Sequence, residues 1–279
     1  VFSILRLLEV WEDVSFLDLI AIDFTDAFHT LWLHEEERPL CVFESDGIFY
    51  SHVRLPFGLA SAPLFWGRVA AAAFRIVQSM AQQAEYESHC YVDDPGLALA
   101  GRTAWRRKRT LARILLLLLC LGLDISWMKA QRGKSIEWLG VTLSLTTKDG
   151  RPGVTVTIPA SKCTDIVKEI DELLDSAGMA QEKKIRRVAG RVGWIAGFVP
   201  WAKAFASILY AAAHCRPEKW SERTAKRRAK RPDLRFVTKP AEMALRWTRT
   251  LLQGDLRDAA GECVPLSRTF TVRTDEPHG

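Results

Sequence analysis

Residues 90–99 read CYVDDPGLAL and place two adjacent aspartates between short apolar runs. The apolar flanks predict a β-hairpin that carries Asp93 and Asp94 at its turn. Carboxylates this close repel each other, and burying either one is unfavourable unless a cation meets it. The pair therefore either caps a solvated turn or holds metal ions, and the rest of the sequence has to decide between these two interpretations.

A third carboxylate lies at the end of an earlier apolar run. Residues 17–23 read LDLIAID, which predicts a buried central strand ending in Asp23. A short helix is expected from Thr25, because Asp23 and Thr25 are both favourable N-cap residues. If the strand and the hairpin share one sheet surface, three carboxylates meet there. Such a set suits two divalent cations about 3.5–4 Å apart, as in in-line phosphoryl transfer, and Mg²⁺ favours oxygen ligands of this kind.

The remaining pattern predicts an α+β domain to about residue 158, then a helical region, then one last strand. Asp46-Gly47 predicts a tight turn between strands at 40–44 and 48–55. Helices are predicted at 63–83, 103–121, 162–178, 183–199, 201–215 and 241–253, and further strands at 136–145, 154–158 and 266–274.

The composition describes a folded chain with a modest basic excess. The 279 residues suffice for one large domain or two smaller ones, and 48% hydrophobic residues with ten tryptophans argue against a disordered tail. The net charge of +6 is consistent with a polyanionic partner. The six cysteines are scattered singly, which argues against a zinc knuckle or a disulfide framework.

The sequence carries neither a membrane span nor a signal peptide. Its longest apolar run, residues 114–123, is too short to cross a bilayer. We therefore expect an intracellular protein of the cytoplasm or nucleus, not secreted and with no membrane partner. The start at Val1 and the abrupt end at Gly279 indicate a piece of a longer protein, and the sequence does not determine an oligomeric state.

Five motifs occur in the order of the palm motifs of retroelement reverse transcriptases. They are AIDFTDAF (21–28), LPFGLASAPLF (55–65), YVDD (91–94), GLDISWMKAQ (122–131) and EWLG (137–140). In this respect the chain resembles the polymerase of LTR- or DIRS-type retrotransposons, strongly over residues 17–145 and weakly through the helical region. The resemblance implies a polymerase palm, an antiparallel sheet packed on helices, followed by a helical thumb and connection.

The resemblance also implies a division of the chain and an activity. Residues 1–145 would be partial fingers and palm, 146–265 a thumb or connection region, and 266–279 the start of a truncated RNase H-like domain. The activity would be that of an RNA-directed DNA polymerase, which transfers dNTPs to the 3′ end of a DNA primer on an RNA or DNA template. Two Mg²⁺ ions would assist, with Mn²⁺ as a substitute.

Metal and proton-transfer roles are implied residue by residue. Asp23, Asp93 and Asp94 would be the metal ligands, and the backbone of Phe24 would also face the ions. Lys129 lies where a lysine of the family is thought to protonate the departing pyrophosphate, a role that suits an ammonium near negative charge. The hairpin at 138–140 matches the one that grips the primer end.

The nucleotide pocket is implied in the same way. Asp26 and Ala27 would lie beneath the triphosphate, where amides at a helix start suit phosphate. Phe28 would pack under the sugar and exclude a 2′-hydroxyl, so that deoxynucleotides are favoured. Phe57 would line the pocket, and Gly58 would allow a close backbone approach to the incoming nucleotide.

Two features depart from the family pattern. Pro95 stands where an aliphatic or β-branched residue usually begins the returning strand, and proline removes a ladder N–H there. If the hairpin tolerates Pro95 at an edge position, the carboxylates keep their places; if not, the metal site is distorted. The family also has basic fingers residues well upstream of Asp23, whereas Arg6 is the sole basic one among the 22 residues that precede it here. We therefore expect this chain as given to polymerise poorly or not at all.

Two alternative functions follow from the same residues. A catalytically decayed descendant would keep the fold and bind nucleic acid without catalysis, which Pro95 and the missing fingers favour. An RNA-dependent RNA polymerase shares the palm but has to admit the 2′-hydroxyl, and Phe28 argues against that.

Three further segments allow two interpretations each. The basic runs RTAWRRKR (Arg102–Arg109) and RTAKRRAKR (Arg223–Arg231) are either solvated surface or contacts to a phosphate backbone, whose binding would fall steeply with salt. The final TFTVRTDEPHG resembles the first strand of an RNase H domain, in which Asp275 would bind metal, or is a polar tail.

Overall fold

The structure is a computed structural model that describes residues 1–80, 84–176, 178–200, 202–214 and 234–272. The chain divides into two units, of which the first comprises Val1–Thr155 with the chain from Thr269 and the second Val156–Arg268. Within the described residues, no helix is both long and apolar enough to span a membrane.

The first unit alternates strands and helices. Its helices are α1 (Phe2–Trp11), α2 (Ala62–Met80) and α3 (Ala104–Cys120). Its strands are β1 (Leu17–Ala21), β2 (Val42–Ser45), β3 (Ile48–Ser51), β4 (Tyr86–Tyr91), β5 (Asp94–Ala100), β6 (Gln131–Gly133), β7 (Ser135–Trp138), β8 (Val141–Lys148), β9 (Arg151–Thr157) and β12 (Ser267–Thr271).

The apolar run before Asp23 forms β1, which is buried along its whole length. It lies inside a four-stranded sheet of order β4-β5-β1-β6 and pairs antiparallel with β5, with Leu17 opposite Ala100 and Ala21 opposite Gly96. A core of buried side chains joins this sheet to α2 and α3. The predicted α+β class, an antiparallel sheet packed on helices, is confirmed.

The predicted turn at Asp46-Gly47 is confirmed in the hairpin of β2 and β3. Both residues have positive φ, 53° and 79°, as a two-residue hairpin turn requires.

The prediction of a helix from Thr25 is corrected. A four-residue 3₁₀ helix begins at Ala27, and Asp26 precedes it with φ of 49°. Left-handed backbone at Asp26 breaks the helical path, so the N-cap chemistry read from the sequence does not start an α-helix here.

The strand predicted at 136–145 is also corrected. Leu139 and Gly140 have φ of 50° and 82°, which turns the chain and leaves β7 and β8 as a hairpin. These strands belong to a second sheet of order β12-β9-β8-β7. The predicted final strand is present as β12, where the Thr155 and Thr269 hydroxyls lie 2.9 Å apart.

The second unit is mainly helical, as the pattern after Pro159 predicts. Its helices are α4 (Ala160–Leu174), α5 (Glu182–Ile195), α6 (Ala202–His214) and α7 (Lys239–Gln253), with a small antiparallel pair, β10 (Met179–Gln181) and β11 (Leu234–Phe236). The four helices share one apolar core. The assignment of the two units to palm, thumb and connection, and of 266–279 to an RNase H-like start, stays a prediction.

Candidate active site

The acidic doublet lies at the turn between β4 and β5. Tyr91 pairs with Asp94, which leaves Val92 and Asp93 as the two loop residues. Val92 has φ of 54°, in the left-handed region that a β-branched residue rarely adopts. The chain therefore makes a tight turn with a residue poorly suited to it, at the point where both carboxylates stand.

The ladder between β1 and β5 continues past the end of β1 and brings Asp23 to this turn. The Ile22 amide donates to the Pro95 carbonyl and the Phe24 amide to the Asp93 carbonyl, each at 3.0 Å. Asp23 thus faces Asp94 between these two hydrogen bonds, the closer kind of antiparallel pair, in which side chains share one face. The structure therefore brings Asp23 to the turn that carries Asp93 and Asp94, with Asp23 and Asp94 on one face of the sheet.

Pro95 lies in a central strand, not at an edge position. It is buried, it pairs with Cys90 of β4, and its carbonyl accepts from the amide of Ile22, just past the end of β1. The hairpin keeps its register because proline still supplies a carbonyl acceptor to the neighbouring strand.

Excess negative charge marks the cluster. Burial, and then the charges of Asp93 and Asp23, raise the pKa of Asp94 above its usual range, although Lys129 acts in the opposite direction. The Lys129 ammonium donates to Asp23 Oδ2, and this hydrogen bond is the main cause that raises the Lys129 pKa. The Lys129 side chain is 70% exposed and that of Asp23 only 14%, so an exposed cation pairs with a carboxylate that is largely shielded from solvent.

The carboxylates fit magnesium in chemistry but do not form a finished coordination sphere. Among the residues that the structure describes, no three His, Cys, Asp or Glu side chains converge to hold a metal ion. The donors are nevertheless the hard oxygens that Mg²⁺ prefers, and a divalent cation would neutralise the like charges of these neighbouring carboxylates. The roles of Asp23, Asp93, Asp94 and the Phe24 backbone as metal ligands stay predictions.

Asp26, Ala27 and Phe28 of the predicted nucleotide pocket follow Asp23 closely in sequence, and Phe57 packs on Phe28. Phe28 is 8% exposed and meets the exposed Phe57 edge to face, with ring centroids 5.0 Å apart. Gly58 has φ of 97°, which favours glycine. Asp26 is exposed and Ala27 buried at the start of the short 3₁₀ helix. Their contacts with a nucleotide stay predictions.

Sequence reasoning missed Trp66, which the structure places at the centre of the site. Its side chain is 0% exposed, and its indole Nε1 donates to the Val92 carbonyl at 2.6 Å. Its ring meets Phe24 at 5.6 Å and Phe28 at 6.5 Å, both edge to face. The signal available was one large amphipathic aromatic in an otherwise alanine-rich helix, a residue type that seeks a hydrogen-bond partner when buried.

Trp138, predicted as part of a primer-gripping hairpin, also reaches the turn. Its Nε1 donates to the Asp94 carbonyl at 3.1 Å. Its ring lies so close to β5 that a Cβ at Gly96 would be 2.7 Å from ring atom Cε2. The predicted primer contact is not tested by this packing and stays a prediction.

Three arginines of the first basic run make different contacts. Arg107 is buried and binds Asp18, and Arg106 pairs with Glu85 at 3.0 Å. Arg109 lies over the ring of Trp105, 5.3 Å from its centroid. The second basic run and Asp275 lie outside the described residues.

Asp18 is the centre of a charge network beneath the sheet. Its Oδ2 accepts from Arg107 Nε at 3.0 Å and Arg132 Nη2 at 2.6 Å, and Lys134 Nζ lies 3.6 Å from Oδ1. Lys134 also donates to the carbonyls of Val14 and Ser15. This network ties β1, β6 and α3 together, and nothing in the sequence pattern singles it out.

Part of the first unit matches a family model built from known proteins. Residues 17–143 match the family model of "Reverse transcriptase (RNA-dependent DNA polymerase)". A Gag-Pro-Pol polyprotein of squirrel monkey retrovirus is 34% identical over 131 residues, which cover 44% of this chain and 7% of the polyprotein. The chain thus spans a small part of that relative.

Two solved structures are similar in fold. A foamy viral protease-reverse transcriptase in complex with an RNA/DNA hybrid has a TM-score of 0.58 at 15% identity, covering 91% of this chain and 33% of that one. A second, the foamy viral protease-reverse transcriptase dRH in complex with double-stranded DNA, has a TM-score of 0.57 at 15% identity, covering 92% and 43%. At this identity the likeness shows the fold.

Proposed function

We propose that this chain is the polymerase segment of a retroelement reverse transcriptase, an RNA-directed DNA polymerase. The observation that carries the proposal is the approach of Asp23, just past the end of β1, to the β4–β5 turn that carries Asp93 and Asp94. These residues lie within the segment that matches the reverse transcriptase family. The retroviral polyprotein relative supports a retroelement origin, and we propose the LTR or DIRS type on the order of the motifs.

The three carboxylates and the Phe24 carbonyl would hold two Mg²⁺ ions, with Mn²⁺ as a substitute. When bound, such ions lower the pKa of an attacking hydroxyl and neutralise a triphosphate. The protein's own part is to hold the carboxylates together on paired strands. Lys129 supplies a positive charge beside them, which suits a proton donor to the departing pyrophosphate.

Phe28 would select deoxynucleotides because it has little room to move. Its ring is buried between Phe57 and Trp66, so a 2′-hydroxyl placed against it would meet a rigid wall. The proposed partners are therefore dNTPs, a DNA primer and an RNA or DNA template, in the cytoplasm or nucleus.

Primer extension on an RNA template tests the proposal. With Mg²⁺ or Mn²⁺, we expect dNTPs to be incorporated in preference to NTPs by the natural polypeptide that contains these residues. Incorporation of NTPs instead would favour an RNA-dependent RNA polymerase. Nucleic-acid binding without incorporation in either case would favour the catalytically decayed alternative.

Lys129 is expected to compete with metal for Asp23. In Lys129→Gln the competing ammonium is gone, so Mn²⁺ should bind the carboxylates severalfold more tightly, as measured by electron paramagnetic resonance of free Mn²⁺. Lys148→Gln, an exposed change of equal charge at the end of β8, is the control. Unchanged or weaker binding in Lys129→Gln alone would show that the ion pair with Asp23 does not restrict the site.

The arginine-lined groove between α2 and α3 is expected to contribute to nucleic-acid binding. This groove, of about 220 Å³, is lined by Arg106, Arg109 and Arg113 on one face of α3. Arginines at this helical spacing present several phosphate donors to one strand. With a nucleic-acid partner, this part of the first basic run would contact the phosphate backbone.

The salt dependence of binding measures that contribution. Changing Arg109 and Arg113 together to Ala should lower the slope of log K against log[salt] for a single-stranded oligonucleotide by about 1.4, from about 0.7 per phosphate contact. Lys148 and Arg151, exposed at the turn between β8 and β9, changed together to Ala provide the matched loss of charge. Equal slopes in both double variants would show that the groove does not contact the strand.

A further inference from the structure

The turn that carries the acidic doublet is unfavourable on its own. Val92 holds a positive φ at the loop position where glycine is preferred. The carboxylates of Asp23, Asp93 and Asp94 also place like charges close together at the turn. Backbone strain and like charge both favour opening, so contacts from outside the turn have to keep it closed.

Trp66 supplies such a contact from the α2 side. Its indole N–H reaches the carbonyl of the strained residue, Val92, at 2.6 Å, and the side chain is 0% exposed. Without the indole N–H, this carbonyl would lose its shorter hydrogen bond. The Cys90 thiol also lies 3.2 Å from the same carbonyl, and burial followed by the nearby carboxylates raises the pKa of Cys90 to about 12, which keeps that donor protonated.

Trp138 supplies the matching contact from the β7 side. Its indole donates to the carbonyl of Asp94 at 3.1 Å, on the far end of the turn. Gly96 makes the approach possible, since any side chain there would collide with the indole ring. The two indoles therefore hold carbonyls at positions 92 and 94, on either side of Asp93.

We infer that Trp66 is a positioning residue that, together with Trp138, holds the Asp93–Asp94 turn closed against Asp23 through indole N–H donors. This inference rests on the proposed function for its consequence, namely metal binding by the three carboxylates. Trp66 also touches Phe24 and Phe28, so one side chain links the strand end, the sugar-facing ring and the turn. Neither tryptophan is a catalytic residue in this scheme.

Trp66→Phe tests the inference because phenylalanine keeps an aromatic ring but removes the indole N–H, together with part of the buried ring volume. In the whole chain we expect hydrogen exchange at the Phe24 amide, which donates to the Asp93 carbonyl, to become at least tenfold faster. Exchange in the β2–β3 hairpin should not change. We also expect Mn²⁺ affinity to fall about tenfold, the lower end of what lost outer-shell partners cost.

The control is Trp105→Phe, the same change at an exposed position on α3. Trp138→Phe should give the same two effects as Trp66→Phe. The double variant should fall short of the sum of the single effects, because both donors support one turn. A purely structural role for Trp66 would lower the melting temperature but leave Mn²⁺ affinity and the ratio of Phe24 to hairpin exchange as in the wild type, and that outcome overturns the inference.

The two proposals fail in different ways. If the wild-type chain binds no Mn²⁺ at the carboxylates, the proposed function is contradicted, while faster Phe24 exchange in Trp66→Phe still supports the positioning role. If Mn²⁺ binds and depends on Asp93, but Trp66→Phe changes neither readout, the function stands and the positioning role is wrong.

Discussion

In the natural polypeptide that contains these residues, replacing Asp93 by Asn is expected to reduce dNTP incorporation by more than about a hundredfold, because loss of an outer-shell partner alone already costs about 10–100-fold at metal sites. The amide keeps the size of the side chain but cannot supply an anionic oxygen to a cation. The Asp93 carbonyl that accepts from Phe24 is unchanged, so the ladder to β1 should persist. Primer extension on an RNA template and Mn²⁺ binding measure the two consequences.

Asp46→Asn is the matched control for this change. Asp46 is exposed in the β2–β3 turn with φ of 53°, a conformation that Asn tolerates well, so both activity and stability should be retained. If Asp93→Asn and Asp46→Asn both incorporate dNTPs at the wild-type rate, the two-metal proposal is contradicted. Loss of incorporation in both variants would indicate damage to folding instead.

Asp18→Asn is expected to destabilise the first unit by about 3–5 kcal/mol, the usual cost of removing one partner from a buried ion pair. Asp18 is 8% exposed, and its loss leaves the 9%-exposed Arg107 without its carboxylate while Arg132 and Lys134 remain close. The free energy of unfolding, from urea titration monitored by circular dichroism, measures the effect. Asp46→Asn again serves as the control, with an expected change near zero.

The dependence on pH gives this prediction a second measurement. Burial alone would raise the Asp18 pKa, but hydrogen bonds from Arg132 and Arg107 together lower it. Because the folded pKa lies below the unfolded value of about 3.9, the stabilisation is present above that pH and is lost as the pH falls through the folded pKa. Asp18→Asn should lack this acidic loss. Equal stability of wild type and variant at pH 7 would show that the network does not support the fold.

Local pattern predicts much of this molecule. The buried β1, the Asp46-Gly47 turn, the helices α2 to α7 and the final strand all follow from apolar periodicity and turn chemistry. The proximity of Asp23 to the acidic doublet also followed, because strand ends in one sheet meet when their registers match. These features are encoded in a few neighbouring residues, so a single sequence is enough to find them.

The features that were missed depend on contacts between distant residues. The hydrogen bond of Trp66 to Val92 spans 26 positions, and that of Arg107 to Asp18 spans 89. The turn between β7 and β8 depends on a positive φ at Leu139, and leucine is not a residue type that predicts such a turn. The sequence singled out Lys129, but its ion pair with Asp23 joins residues far apart in sequence and forms only in the folded chain.

The strained Val92 has one further consequence for how this protein would fail on warming. Since the turn is kept shut from outside, a small loosening of α2 would free it while the sheet and its core remain assembled. We therefore expect inactivation to precede melting. Metal affinity should decrease at a temperature several degrees below the one at which circular dichroism reports loss of secondary structure.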